Sequence, residues 1–274
     1  MPIGKNAIKR VTNAKAEAPE IKEAPKAEEK KEAKAAKKAA KAEKKASRIA
    51  AEGIVACYTE GNTGVLIEIN CESDFVAKNP QFSEIANEVS KVIVKYNPAN
   101  VEALLACETA ANGTVEEYLK GKIAIIGEKI AVRRFERYET EGFLESYIHL
   151  GGKLGVMLDM AGAADETAKA VAHEVTLQIA FTKPSYLTEE EVPTDVLEKE
   201  KEVLKQQAMN EGKPEAIAEK MVMGRIKKFY EENCLLKQAF IKDDKQTIAG
   251  LLKAANNAEI NRFTFYVMGE GLEK

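Results

Sequence analysis

The stretch GIVACYTEGNTGVLIEIN, Gly53 to Asn70, decides how this chain is read. Two apolar runs flank the polar TEGNT. Val65, Ile67 and Ile69 alternate as the inward face of a half-buried strand does, so the stretch predicts a β-hairpin. The same texture returns as GFLESYIHLGGKLGVMLDM, Gly142 to Met160, with a slightly longer turn. Gly142 matches Gly53, Tyr147 matches Tyr58, Gly155 matches Gly64 and Val156 matches Val65. A correspondence of this length points to a duplicated supersecondary unit.

The flanking sequence repeats as well. Asn79-Pro80 opens a helix, Asn as the cap and Pro in the first helical position. Phe82, Ile85, Ala86, Val89, Val92 and Ile93 follow at helical spacing, and Asn97-Pro98 closes the run. Its IANEVSKVIV, 85–94, has a counterpart in VAHEVTLQIA, 171–180. A second helix, VEEYLKGKIAIIG, and a strand, IAVRRFERY, complete the first unit; TIAGLLKAA and INRFTFYVMG complete the second. Hairpin, helix, helix, strand, stated twice, predicts an α+β chain of two duplicated subdomains, each a small antiparallel sheet with helices on one face. The expected boundaries are 47–140 and 141–274.

An insertion at about 188–233 interrupts the second unit. It reads as two antiparallel helices around NEGKP, with Gly212 ending one and Pro214 starting the next. Val203, Leu204 and Ala208 are expected to face Ile217, Met221 and Ile226. Such a projecting hairpin offers a surface to a partner, a second copy of the chain included.

Residues 1–46 differ in kind, being almost entirely Ala, Lys and Glu beyond Lys15. This low-complexity tail is expected to be disordered to about Lys30 and helical beyond it. Residues 1–50 hold 15 Lys and Arg against 7 Glu, a net of +8, while the rest hold 26 against 37, a net of −11. An acidic body argues against gripping a nucleic acid backbone, which needs clustered cations, and leaves RNA contact to the tail alone. No apolar run is long enough to span a membrane, and the first residues lack an apolar leader, so a cytoplasmic chain is expected. Cys57, Cys71, Cys107 and Cys234 are scattered and read as buried reduced thiols rather than a metal site.

Catalytic patterns are missing. His173 begins HEVTL without the second histidine of a zinc motif, and its counterpart is Asn87, so it reads as a helix residue. His149 precedes LGGKLG, where Tyr147 and Leu154 occupy positions that a phosphate loop reserves for Gly and for Ser or Thr. No cofactor or metal is expected, and an enzyme using Asp74 and His149 is the weakest reading.

The corner after the first hairpin, INCESDFVAKNPQF from Ile69 to Phe82, carries the functional signal. By pattern alone Asp74 reads as a helix cap and Phe75 as a core residue. Yet RIAAEG, INCESDFVAKN, IAVRRFERY, SYIH, GKPEAIAEKMVMGRIKKF and the closing FYVMGEG resemble the bacterial elongation factor Ts family from about Ser47 to Lys274. The most specific part is that family's Thr-Asp-Phe-Val motif, present as Ser73-Asp74-Phe75-Val76 with the hydroxyl kept. The resemblance implies guanine-nucleotide exchange on the GTPase elongation factor Tu. Phe75 would enter an apolar pocket near the nucleotide's magnesium, Asp74 would fix the approach, and His149 of the SYIH segment would be a further partner contact. The family's usual N-terminal three-helix domain, with its Thr-Gly-x-Gly-Met-Met-Asp-Cys stretch, has no match here; the basic tail stands in its place. That departure keeps a second expectation open, a GTPase- or RNA-binding adaptor without exchange activity.

Overall fold

A computed structural model describes residues 50–272 except Asn112 and Lys213, with the backbone alone at Glu215, Ala216 and Ala218. The expectations for the N-terminal tail lie outside the described residues. The first hairpin is β1 (Glu52–Glu60) with β2 (Thr63–Cys71). A single helical turn α1 (Asp74–Ala77), the long α2 (Pro80–Tyr96), the short α3 (Val101–Ala106), α4 (Val115–Ile126) and β3 (Ala131–Glu139) follow. The second unit has β4 (Phe143–His149), β5 (Leu154–Met160), α5 (Glu166–Thr182), the inserted pair α6 (Thr194–Asn210) and α7 (Glu215–Asn233), a small ribbon β6 (Ala239–Phe240) and β7 (Asp243–Thr247), α8 (Ile248–Ala254) and β8 (Ile260–Val267). The two main sheets run β1-β2-β3 and β4-β5-β8, antiparallel throughout. The α+β class read from the sequence is the class observed.

Local chemistry sets the helix ends. The Asn79 side chain accepts from Gln81 N ahead of Pro80, and Asn97 closes α2 in the left-handed region at φ 47°. Thr114 and Glu117 form a reciprocal capping box on α4, and Gly127 ends it at φ 94°. α3 and the β6–β7 ribbon were not foreseen. The first is a turn and a half, and DDKQT is a solvent-facing strand that reads as a loop.

One expectation needs correcting. β2 is not half-buried: all nine of its residues are buried, and so are all seven of β5. One face of each strand packs on its own helices. Val65, Ile67 and Ile69 meet Phe82, Ile85 and Val89 of α2, and Val156, Leu158 and Met160 meet Val175 and Ile179 of α5. The other faces pack on each other, with Val55, Leu66 and Tyr138 of one sheet in a cluster with Met157 and Tyr266 of the other. The duplicated sheets therefore pack face to face, each unit presenting equivalent residues to the other. A Cβ on Gly64 would stand 2.6 Å from Leu144 Cδ1 and 3.0 Å from Met157 Sδ, and one on Gly155 2.5 Å from Val55 Cγ1 and 3.0 Å from Leu66 Cδ1. At each glycine the opposite sheet comes too close to leave room for a side chain.

The polar groups repeat the same equivalence. Glu68 is buried in β2 and paired with Arg134 Nε at 2.7 Å; Asp159 is buried in β5 and paired with Arg262 Nε at 2.9 Å. Each guanidinium crosses to the other unit's tyrosine, Arg134 lying 4.2 Å from the Tyr266 ring centroid and Arg262 4.0 Å from that of Tyr138. Gly269 N donates to Glu68 at 2.8 Å and Thr140 Oγ1 to Asp159 at 2.6 Å, so both buried carboxylates are also satisfied from outside their own sheets.

The inserted helices are tied at their base, where Ser185 N and Tyr186 N donate to Asn233 O. Leu204, Ala208 and Ile226 are buried as expected, but Val203 and Ile217 are about half exposed, at 51% and 49%. A two-helix seam covers only a narrow stripe, and Val203 lies about 100° round the helix from Leu204.

The cysteines are all free, but Cys57 and Cys107 are only partly covered, against the expectation that all four are buried. Burial pushes the Cys71 thiol up to about 12 and that of Cys234 up to about 11. Because the thiolate is the reactive form, neither should be modified by a disulfide reagent in the native state, and both should be in denaturant. Unfolded thiols ionise near pH 8.5. The stability these two contribute is therefore complete below that pH and is lost as the pH rises towards 11–12.

Candidate functional site

The site begins where β2 runs out. Cys71 is its last residue, its thiol donating to Ser73 O at 3.2 Å. Ser73 sits in extended backbone and caps α1, its Oγ accepting from Val76 N at 3.4 Å. The cap is thus Ser73 and not Asp74. At 100° per residue, positions 75 and 77 lie on opposite sides of a one-turn helix. Ala77 is buried and Val76 packs against the core of the first unit, so Phe75 is turned outward. Its ring is 83% exposed and is not a core residue. The aromatic that fills the core is Phe82, which is fully buried.

So short a helix cannot hold itself in place. Its support comes from the loop after α4. Glu128 accepts from Ser73 Oγ at 2.6 Å through one oxygen and from Ser73 N at 2.9 Å through the other. In return Glu72 accepts from Lys129 N at 2.7 Å. This reciprocal pair joins residues more than 50 positions apart, and sequence reasoning missed it, since nothing in GEKI marks Glu128 as a brace. Glu128→Ala is expected to speed amide hydrogen exchange at Ala77 and Lys78 by about tenfold or more while moving global unfolding by no more than about 1–2 kcal/mol. Hydrogen exchange read by mass spectrometry checks it.

Asp74 faces solvent beside Phe75 and bonds to Lys78 Nζ at 2.7 Å, one turn on. That hydrogen bond holds its carboxyl below the usual carboxylate range. The corner therefore presents an ionised carboxylate, paired with the Lys78 ammonium, next to a bare aromatic ring. An exposed pair of this kind adds little to stability.

His149 comes from the other subdomain, at the end of β4, and is exposed. Its Nδ1 lies 2.8 Å from Tyr147 Oη. His173, on the exposed face of α5, contacts Glu145 at 3.3 Å and stands edge-on to Tyr147. The structure brings Ser73, Asp74, Phe75 and Val76 into one turn; His149 bonds to Tyr147 rather than to any of them. What relates the two places is the start of β1. α1 packs on β1. The turn after His149 packs there too, Gly152 O accepting from Val55 N at 2.7 Å and Lys153 Nζ meeting Glu52 at 2.8 Å. Both turns therefore rest on β1. No helix among the described residues is long and apolar enough to cross a membrane.

Comparison with known proteins adds the family context. The family described as Elongation factor TS matches residues 72–270. The Elongation factor Ts of Halothermothrix orenii is 43% identical over 235 residues, 84% of this chain and 78% of the relative. That of Burkholderia multivorans is 45% identical over 229 residues, 84% of this chain and 76% of the relative. That of Clostridium perfringens is 47% identical over 239 residues, 84% of this chain and 79% of the relative.

Proposed function

This chain belongs to the elongation factor Ts family, and from that premise we propose that it binds the GTPase elongation factor Tu and promotes release of its GDP during translation elongation. The observation that carries the reading is the Phe75 ring, 83% exposed on a turn braced by Glu128. A backbone turn already held in place has little freedom of its own left to lose on binding, so more of the ring's burial energy reaches the complex. Covering a Phe side chain is worth roughly 1.5–3 kcal/mol. In this reading the ring enters an apolar pocket of the GTPase that opens only when the groups around the nucleotide and its magnesium are displaced. The complex then favours the nucleotide-free partner, and that difference in affinity sets how far GDP binding is weakened. Asp74 aligns the approach as a charged neighbour, Ser73 and Val76 hold the turn, and His149 makes a separate contact from the second subdomain. No bond is made or broken, so the chain needs no catalytic group or cofactor.

The test is release of fluorescent GDP from the GTPase with and without this chain. Faster release supports the reading. Capture of the GTPase without faster release would assign an adaptor role instead. The remaining partner proposals have their own tests: RNA contact by the basic tail by salt-sensitive RNA binding lost on deleting residues 1–46, and pairing of two chains through α6 and α7 by light scattering.

A further inference from the structure

The turn between β4 and β5 holds a residue that the fold of this chain alone does not explain. Leu150 has φ 47° and is followed by Gly151 at 64° and Gly152 at 95°. Gly152 N donates to His149 O at 3.2 Å, so Leu150 and Gly151 are the two central residues of a turn with positive φ at both. Such turns favour Asn-Gly or Gly-Gly, because a Cβ crowds the following carbonyl in the left-handed region. Gly152 has its own reason to be glycine, since a Cβ there would lie 2.8 Å from Ile54 Cβ. Leu150 has none. Its side chain is 74% exposed, and the neighbouring Ile148 is 38% exposed. A strained backbone and an uncovered apolar side chain both count against the isolated chain at the same position. The strain is also held in place. Gly152 O is bonded to Val55 N, Lys153 Nζ to Glu52, and Lys153 O accepts from Met268 N at 3.0 Å, so the tip stands on a fixed base.

We propose that Leu150 is a second apolar contact for the GTPase that receives Phe75, covering a neighbouring apolar patch of the same partner. The inference rests on the exchange-factor reading above. It commits to that partner because Phe75 and Leu150 flank the start of β1: α1 packs on that strand, and the turn bonds to Glu52 and Val55. Together they make a two-point apolar contact, one point from each duplicated subdomain, with the charge of Asp74 and the imidazole of His149 beside them.

The experiment compares the unaltered chain with Leu150→Asn, Leu150→Met and Phe75→Ala in GDP release and in thermal unfolding. Asn adopts positive φ readily, so Leu150→Asn is expected to leave the unfolding midpoint unchanged or to raise it by about 1–3 °C. The same variant should lower GDP-release efficiency about 3- to 30-fold, while Leu150→Met keeps it within about twofold. A purely structural Leu150 would not lose exchange while the stability of the chain is kept or raised. If Phe75→Ala impairs exchange and Leu150→Asn does not, the second contact is overturned and the exchange reading stands. If the unaltered chain does not accelerate release, both fall together.

Discussion

Replacing Phe75 with Ala is expected to cut GDP-release efficiency by about ten- to a hundredfold while leaving the folded chain as stable as before. The two halves have separate physical causes. Loss of the ring removes roughly 1.5–3 kcal/mol of burial available only in the complex, and 1.4 kcal/mol is a factor of ten. In the free chain the ring is 83% exposed, so its removal leaves no cavity and should stay within about 0.5 kcal/mol in denaturant unfolding. Phe75→Leu should fall between the two, since it keeps an apolar group of reduced area. An alanine variant that accelerates GDP release as well as the unaltered chain removes the wedge from the proposed mechanism. A variant that fails because it unfolds would contradict the exposed placement of the ring.

The second large effect concerns the fold. Leu66→Ala is expected to destabilise the chain by about 2–5 kcal/mol, the usual range for a leucine truncated in a closed core. Leu66 has no exposed surface and lies between the sheets with Val55, Met157 and the two tyrosines. In a chain of this size each kcal/mol moves the midpoint by about 2–4 °C, so thermal unfolding should shift by about 4–20 °C. A β2 with one face in water would lose no more than about 0.5 kcal/mol from the same change. The measurement thus separates paired sheets from two independent half-buried ones. Exchange should survive at temperatures where the variant remains folded, because Phe75 stands on α1 and not on the buried interface.

Much of the architecture was legible because its determinants are local. The caps at Asn79 and Asn97 are set within a few residues of the bonds they make, the first by its side chain and the second by its left-handed backbone, and the hairpin turn and the spacing of Phe82, Ile85 and Val89 are equally short-range. The duplication was visible because two copies of one unit keep the same glycines at the same positions. The α+β class followed from the order of the elements. The candidate corner was found from its Ser-Asp-Phe-Val stretch, but pattern alone placed the cap at Asp74 and the ring inside, and both placements were wrong. Which way a side chain points on a single helical turn depends on what lies beneath it, and that is a tertiary matter.

Sequence by itself therefore determined the main elements, their order and their repetition, though not α3 or the β6–β7 ribbon, since the main elements depend on periodicities and caps spanning a few residues. Only the tertiary structure decided that the repeated sheets face each other, and that Glu68 and Asp159 are buried against Arg134 and Arg262. It alone decided that Glu128 braces Ser73, and that the turns bearing Phe75 and Leu150 both rest on β1. The physical reason is that alternation shows only that one face of a strand is apolar. The burial of the other face and the bracing of the turn that bears an exposed ring both depend on groups that are distant in the chain, joined across loops of tens of residues.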